Sequence, residues 1–253
     1  METLNPHFTL RGVGVTLNGR RILEGVDLDI PKGRATFVMG RSGAGKTTLL
    51  RVLNRLNECF PGSETCGEVL LHLDRGVVRP YSGDIALPEL RRLVGMVFQH
   101  PNVLPMSIAA NITMPLTTIR GCGRDEAMEG ARLALREAQL WEEVRDRLDA
   151  DARTLSGGQQ QRLCLARTLA MKPDVLLLDE PTSSLDFMAA RGIEELLVGL
   201  KGRYTLVVVS HGWEFAARLA DDIVILRDGQ VHRHSGDGVA DLDTWPEGQE
   251  RML

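Results

Sequence analysis

Residues 40–47 read Gly-Arg-Ser-Gly-Ala-Gly-Lys-Thr, which fits the pattern G-x-x-x-x-G-K-[ST]. That pattern demands a strand before it and a helix after it, so it constrains the fold as well as the chemistry. The apolar run 35–39 supplies the strand. Leu49, Leu50, Leu53 and Leu56 recur at helical spacing after it, and Pro61-Gly62 closes the segment. Gly40, Gly43 and Gly45, with Arg41, Ser42 and Ala44 between them, let backbone N–H groups turn inward around a polyphosphate. Lys46 then reaches the terminal phosphates, the Thr47 hydroxyl faces Mg²⁺, and Thr48 continues the first helical turn, whose end carries a partial positive charge.

The rest of the chain is organised around this loop. Val13, Val15 and Leu17, then Val26, Leu28 and Ile30, alternate as extended segments do, with Asn18-Gly19 as a hairpin turn and Pro31-Lys32-Gly33 as a second turn. An antiparallel sheet therefore opens the protein. Residues 100–165 change character: Pro101, Pro105 and Pro115 come first, then a charged helical stretch over 125–148. Continuous apolar runs return at 175–178, 206–209 and 223–226, with a helical stretch at 189–200 between the first two. Strand, helix, strand with such runs implies a parallel sheet covered on both faces.

Composition narrows the partners. The 30 Lys and Arg residues against 34 Asp and Glu give a net charge of −4 over 253 residues, which argues against a nucleic-acid coat protein relying on a basic face. No apolar run approaches the length of a membrane span. The start has no signal-peptide pattern. Cys59, Cys66, Cys122 and Cys164 are irregularly spaced and read as reduced thiols, with Cys59 and Cys66 in a loop around Pro61-Gly62.

Two further motifs carry chemistry. At 175–180, four apolar residues lead into Asp179 and Glu180, placing two carboxylates at the carboxyl end of a strand, where ligands sit in open α/β sheets. Asp179 suits a water-mediated hold on Mg²⁺, and Glu180 suits polarising an attacking water. At 155–159, Leu-Ser-Gly-Gly-Gln stands just before a helical stretch with Leu163, Ala166 and Leu169. That is a second anion-binding helix N-terminus in a chain that already has one.

With its continuation Gln160-Gln161-Arg162-Leu163, this last segment resembles the signature of ATP-binding-cassette (ABC) ATPases. The resemblance covers residues 8–230, and six motifs occur in order. It implies an α/β fold: a RecA-like nucleotide-binding core with an N-terminal antiparallel β subdomain (1–99 and 166–240), an inserted helical signature subdomain (100–165) and a tail (241–253). It implies ATP and Mg²⁺ as cofactors. Gln99 resembles the glutamine that reports γ-phosphate and Mg²⁺ to the helical subdomain. Ser183-Ser184-Leu185-Asp186 resembles the loop that crosses between subunits, and His211 the switch histidine contacting γ-phosphate. It also implies a homodimer at the cytoplasmic face of the cell membrane. Each ATP would lie between Lys46 and Thr47 of one copy and Ser156, Gly157, Gly158 and Gln159 of the other. Its partners would be transmembrane permease subunits and, indirectly, a periplasmic or extracellular substrate-binding protein.

Pro105-Met106-Ser107-Ile108, Asn111-Ile112, the segment 138–148 and Ile193-Glu194-Glu195-Leu196 are similar to the ATPase subunit of bacterial phosphate importers. Import of another oxyanion, such as tungstate or molybdate, is the alternative cargo. A soluble, non-transport ABC ATPase is disfavoured because 99–155 holds neither a coiled-coil nor a zinc-bearing insertion. Two features depart from the family. Leu17 stands where an aromatic residue usually stacks on adenine, so the expected contact is aliphatic. The end, 231–253, is unlike the tail of phosphate importers. His232 and His234 would share a strand face but lack a carboxylate or cysteine at companion spacing, so a metal site is not expected there.

Overall fold

The computed structural model describes residues 5–234; the expected tail, 241–253, lies outside them. Strands β1 (Pro6–Leu17) and β2 (Arg20–Pro31) form a hairpin, and Asn18 and Gly19 both take the positive φ of 49° and 75° that its two-residue turn requires. β4 (Ser63–Leu73) and β5 (Gly76–Val78) complete an antiparallel sheet in the order β2-β1-β4-β5.

The second sheet uses β3 (Ala35–Met39), β6 (Val94–Val97), β7 (Val175–Asp179), β8 (Thr205–Val209), β9 (Asp222–Arg227) and β10 (Gln230–His234). Its order is β10-β9-β3-β8-β7-β6; every pairing is parallel except that of β10 with β9. Its central strands are buried on both faces, as their unbroken apolar runs require. Val38, Leu177, Val207 and Val209 join one core with the antiparallel sheet and helix α1 (Lys46–Leu53), whereas Phe37, Leu176, Leu178 and Val208 join the core on the opposite face. Helix α2 (Leu87–Leu93) precedes β6 and joins the first of these cores through Leu90 and Leu93.

A third core belongs to helices: α3 (Ile108–Thr118), α4 (Arg124–Glu137), α5 (Trp141–Val144) and α6 (Gly157–Ala170). The inward face of α4 is Ala127, Ala131, Ala134 and Leu135, at helical spacing, and its small residues let α3 and α6 approach closely. α6 serves two cores, giving Leu163, Ala166 and Ala170 to the helical one and Leu165 and Leu169 to the sheet. Helices α7 (Phe187–Leu200) and α8 (Trp213–Leu219) cover the same face of the sheet. The architecture is thus the expected α/β nucleotide-binding core with an antiparallel β subdomain and inserted helices. No described helix is long and apolar enough to cross a membrane.

Local departures have physical causes. α1 stops at Leu53, so Leu56 lies beyond it. Asn54 caps the helix, and Arg55 turns to φ 56° as its guanidinium bonds Glu58 and the Pro80 carbonyl. The stretch 125–148 is broken after α4, where Gln139 takes φ 52°. Cys66 lies on β4 rather than in a loop, opposite Gly14, and all four cysteines are free. Pro115 sits inside α3. His232 lies on β10 opposite Ile225.

One buried contact ties the two sheets. The Thr205 hydroxyl accepts from the Gly33 N–H at 2.8 Å and stands 2.7 Å from His7 Nδ1. It is therefore placed to donate to a neutral imidazole. Burial, reinforced by the nearby Lys32 cation, lowers the His7 pKa to about 4. The unfolded chain takes up a proton near pH 6.5 that the folded chain refuses until about pH 4, so this contribution is whole above pH 6.5 and lost as pH falls through that window. Urea midpoints at pH 7 and 4.5 should therefore fall more steeply in wild type than in His7→Gln, by on the order of 1–3 kcal/mol of unfolding free energy. Equal slopes would remove His7 as the source.

Candidate active site

Sheet order brings the expected residues together. β3, β8, β7 and β6 lie side by side and parallel, so the loops after their carboxyl ends emerge along one edge. Those loops carry, in the same spatial order, residues 40–47, His211, Asp179 with Glu180, and Gln99.

The phosphate loop wraps the N-terminus of α1. Gly40 takes φ 149° and lies so close to β9 that a Cβ would sit 2.1 Å from the Leu226 carbonyl oxygen; only glycine fits. Gly43 and Gly45 also have positive φ, at 79° and 100°. Lys46 is buried, and its ammonium donates to the carbonyls of Gly40 at 2.6 Å and Arg41 at 3.0 Å, so the loop is curled around its own cation. Burial lowers the Lys46 pKa against the opposing pull of Glu180 and Asp179. Ser42 and Ala44 complete the loop, and Thr48 is buried behind it.

Beside the loop, the Thr47 hydroxyl donates to Asp179 Oδ1 at 2.8 Å. Burial raises the Asp179 pKa, and the Thr47 hydrogen bond opposes that rise. Hydroxyl and carboxylate oxygens side by side are the donors a small hard cation takes, so these residues fit Mg²⁺.

Glu180 is the hub. It follows β7 at φ 46°, a conformation that costs a non-glycine residue energy and is held here by its N–H donating to the Val209 carbonyl at 2.9 Å. That bond ties Glu180 to the strand that leads to His211. The side chain is gripped from both neighbouring strands, with His211 Nε2 2.8 Å from Oε1 and Gln99 Nε2 donating to Oε2 at 3.4 Å. Ser184 of the 183–186 loop donates to the Gln99 carbonyl at 3.1 Å.

The signature segment belongs to the helical layer. Ser156 caps α6, its hydroxyl accepting from the Gln159 N–H while Gln159 Oε1 accepts from the Ser156 N–H at 3.0 Å: a reciprocal capping box. Gln159 Nε2 also donates to Glu143 at 2.8 Å, and Arg162 pairs with the same carboxylate. Gly157 is exposed, whereas Gly158 presses on α7, where a Cβ would meet that of Ala189 at 2.8 Å.

Sequence reasoning missed the role of Gln161. It is buried, and its amide donates to the carbonyls of Phe98 at 3.1 Å and Pro181 at 3.2 Å, joining α6 to the residues flanking Gln99 and Glu180. A polar residue on the inward face of α6, two places past the signature, was the available signal. Asn111, in α3, is a second buried amide with a structural role. Fully buried, it donates to Ser107 O at 3.0 Å and accepts from Leu104 N at 2.8 Å, so it holds the 104–107 loop in place.

Comparison with known proteins identifies the family. The family description "ABC transporter" matches residues 23–183. The chain is 46% identical over 212 residues to the phosphate import ATP-binding protein PstB 1 of Vibrio cholerae, covering 83% of this chain and 76% of that protein. It is 42% identical over 222 residues to PstB 2 of Bacillus subtilis, covering 88% and 81%. Among solved structures, the ATP-binding cassette MJ0796, a dimer in a post-hydrolysis state with ADP and Pi, superposes with a TM-score of 0.73 at 31% identity, over 90% of this chain and 98% of that one. CbiO1 from Clostridium perfringens shares the fold with a TM-score of 0.77 at 24% identity, over 98% and 93%. The chain belongs to the ABC transporter family, as one of its ATP-hydrolysing cassettes.

Proposed function

We propose that this cassette is the ATPase subunit of a phosphate importer, working as a homodimer on the cytoplasmic face of the membrane. The observation that carries the chemistry is the convergence of Gln99 and His211 on the Glu180 carboxylate, next in sequence to the Asp179 that Thr47 bonds. Two relatives above 40% identity over most of the chain are named for phosphate import, and they support the cargo.

In this reading, the glycine-bearing loop 40–45 turns its N–H groups on the ATP phosphates, and the Lys46 ammonium exchanges its carbonyl partners for phosphate oxygens. Mg²⁺ held at Thr47 and Asp179, with the Gln99 amide oxygen beside it, would supply neutralisation of charge on the β- and γ-phosphates. Glu180 accepts a proton from the attacking water as the new oxygen–phosphorus bond forms and the bond to the β-phosphate oxygen breaks. His211 and Gln99, both already on Glu180, turn to the γ-phosphate when it arrives and so report its presence.

The helix end capped by Ser156 points its free N–H groups at a second nucleotide site, on a partner copy. Gly157, Gly158 and Gln159 share that role, with the 183–186 loop crossing beside them. The helical subdomain, 100–165, then carries the motion to transmembrane permease subunits through the loop that Asn111 anchors. A periplasmic or extracellular binding protein presents the cargo to that permease. Nucleic acid has no place in this scheme.

Two experiments test the reading. Glu180→Gln keeps the shape but removes the base; hydrolysis should fall by about 10²-fold or more while ATP still binds, and size-exclusion chromatography with ATP and Mg²⁺ should show a stable dimer. Full hydrolysis in this variant would take the general-base role from Glu180. Deleting the gene should abolish high-affinity phosphate uptake at low external phosphate and leave tungstate accumulation intact; the reverse pattern would assign another oxyanion as cargo while sparing the ATPase.

A further inference from the structure

A cavity of about 410 Å³ opens beside the phosphate loop, lined by residues 20–22, 40–44 and 225–229. Its size suits a base and ribose next to a triphosphate. Its wall at 20–22 belongs to the β1–β2 hairpin. Leu17 and Arg20 lie directly opposite each other across the Asn18-Gly19 turn, and Val15 pairs with Leu23 further along. Between these two pairs the register shifts, two places on β1 matching three on β2, so Ile22 is an extra residue between Arg21 and Leu23. This irregular stretch lies against the loop: a Cβ on Gly45 would lie 3.0 Å from Leu23 Cδ2 and 3.3 Å from Ile22 Cγ2, and Arg20, two residues before Ile22, lines the cavity beside it.

We propose that Arg20 is the residue on which the nucleobase stacks, its guanidinium plane serving where Leu17 offers no ring. The proposal rests on the ATP reading above and names the group that holds the base. Leu17 is half-buried against the core and presents only an aliphatic surface. The other arginines of the cavity each have a carboxylate neighbour or belong to the phosphate end. Arg21 pairs with Glu24 at 3.2 Å, Arg227 with Asp228 at 3.6 Å, and Arg41 belongs to the phosphate end, where its carbonyl accepts from Lys46. Among the described residues, no ion pair or hydrogen bond claims Arg20. A guanidinium is planar and weakly hydrated, and it stacks on bases as aromatic rings do. Such a plane is indifferent to which base it covers, so ATP and GTP should bind with similar affinity.

Calorimetric titration of the full chain with ATP, and separately with inorganic tripolyphosphate, tests this. Arg20→Ala should weaken ATP about threefold to tenfold and leave tripolyphosphate unchanged. Arg20→Lys keeps the charge but loses the plane, and should match Arg20→Ala; Arg20→Tyr should restore ATP affinity. Unchanged ATP binding in Arg20→Ala overturns the proposal. So does a loss of both probes that Arg20→Lys repairs, because charge alone would then explain it. If wild type bound neither probe, or Lys46→Ala bound both as well as wild type, the ATP reading itself would fail.

Discussion

Parallel pairing of β3, β8, β7 and β6 is the constraint on which the site depends. Each strand delivers one loop to the same edge, and the strand order decides which loops touch. Glu180 follows β7, flanked by β8 and β6, so His211 and Gln99 reach it from opposite sides. Any other order would separate these three side chains, however well each motif were preserved. The strands hold their order because both faces of the sheet are buried under separate cores.

The polar groups at that edge are held against each other. Lys46 is satisfied by its own loop carbonyls, Asp179 by the Thr47 hydroxyl, and Glu180 by His211 and Gln99. A buried cation or carboxylate without such partners would be costly. Gln161 links this edge to the helical layer, since it bridges the strand ends to α6, whose first turn is the signature.

Most of this was legible in the sequence because its signals are local. The phosphate loop, the Asp179-Glu180 strand end and the capping pattern at Ser156 are each short runs whose residue types dictate backbone shape. The buried strands were readable as unbroken apolar runs. β4 was not, because four of its 11 residues are exposed and its pattern is interrupted by Gly67, which sits against the Gly12 carbonyl of β1. The end of α1 was misplaced because Arg55 is held by Glu58 and the distant Pro80 carbonyl, a tertiary contact with no local signature. Gln161 and Asn111 escaped for the same reason: a buried amide shows its role only when its partners are in view.

The central claim is that the phosphate loop and the signature segment complete one site only between two copies of the chain. Cross-linking tests it directly. A chain with its four native cysteines replaced by serine, carrying Glu180→Gln together with Arg41→Cys and Gln159→Cys, is oxidised with and without ATP and Mg²⁺ and resolved by denaturing electrophoresis. The account predicts a disulfide that appears with ATP and joins two chains, doubling the mass of the band. A disulfide closing within a single chain, or none while ATP is bound, would contradict it.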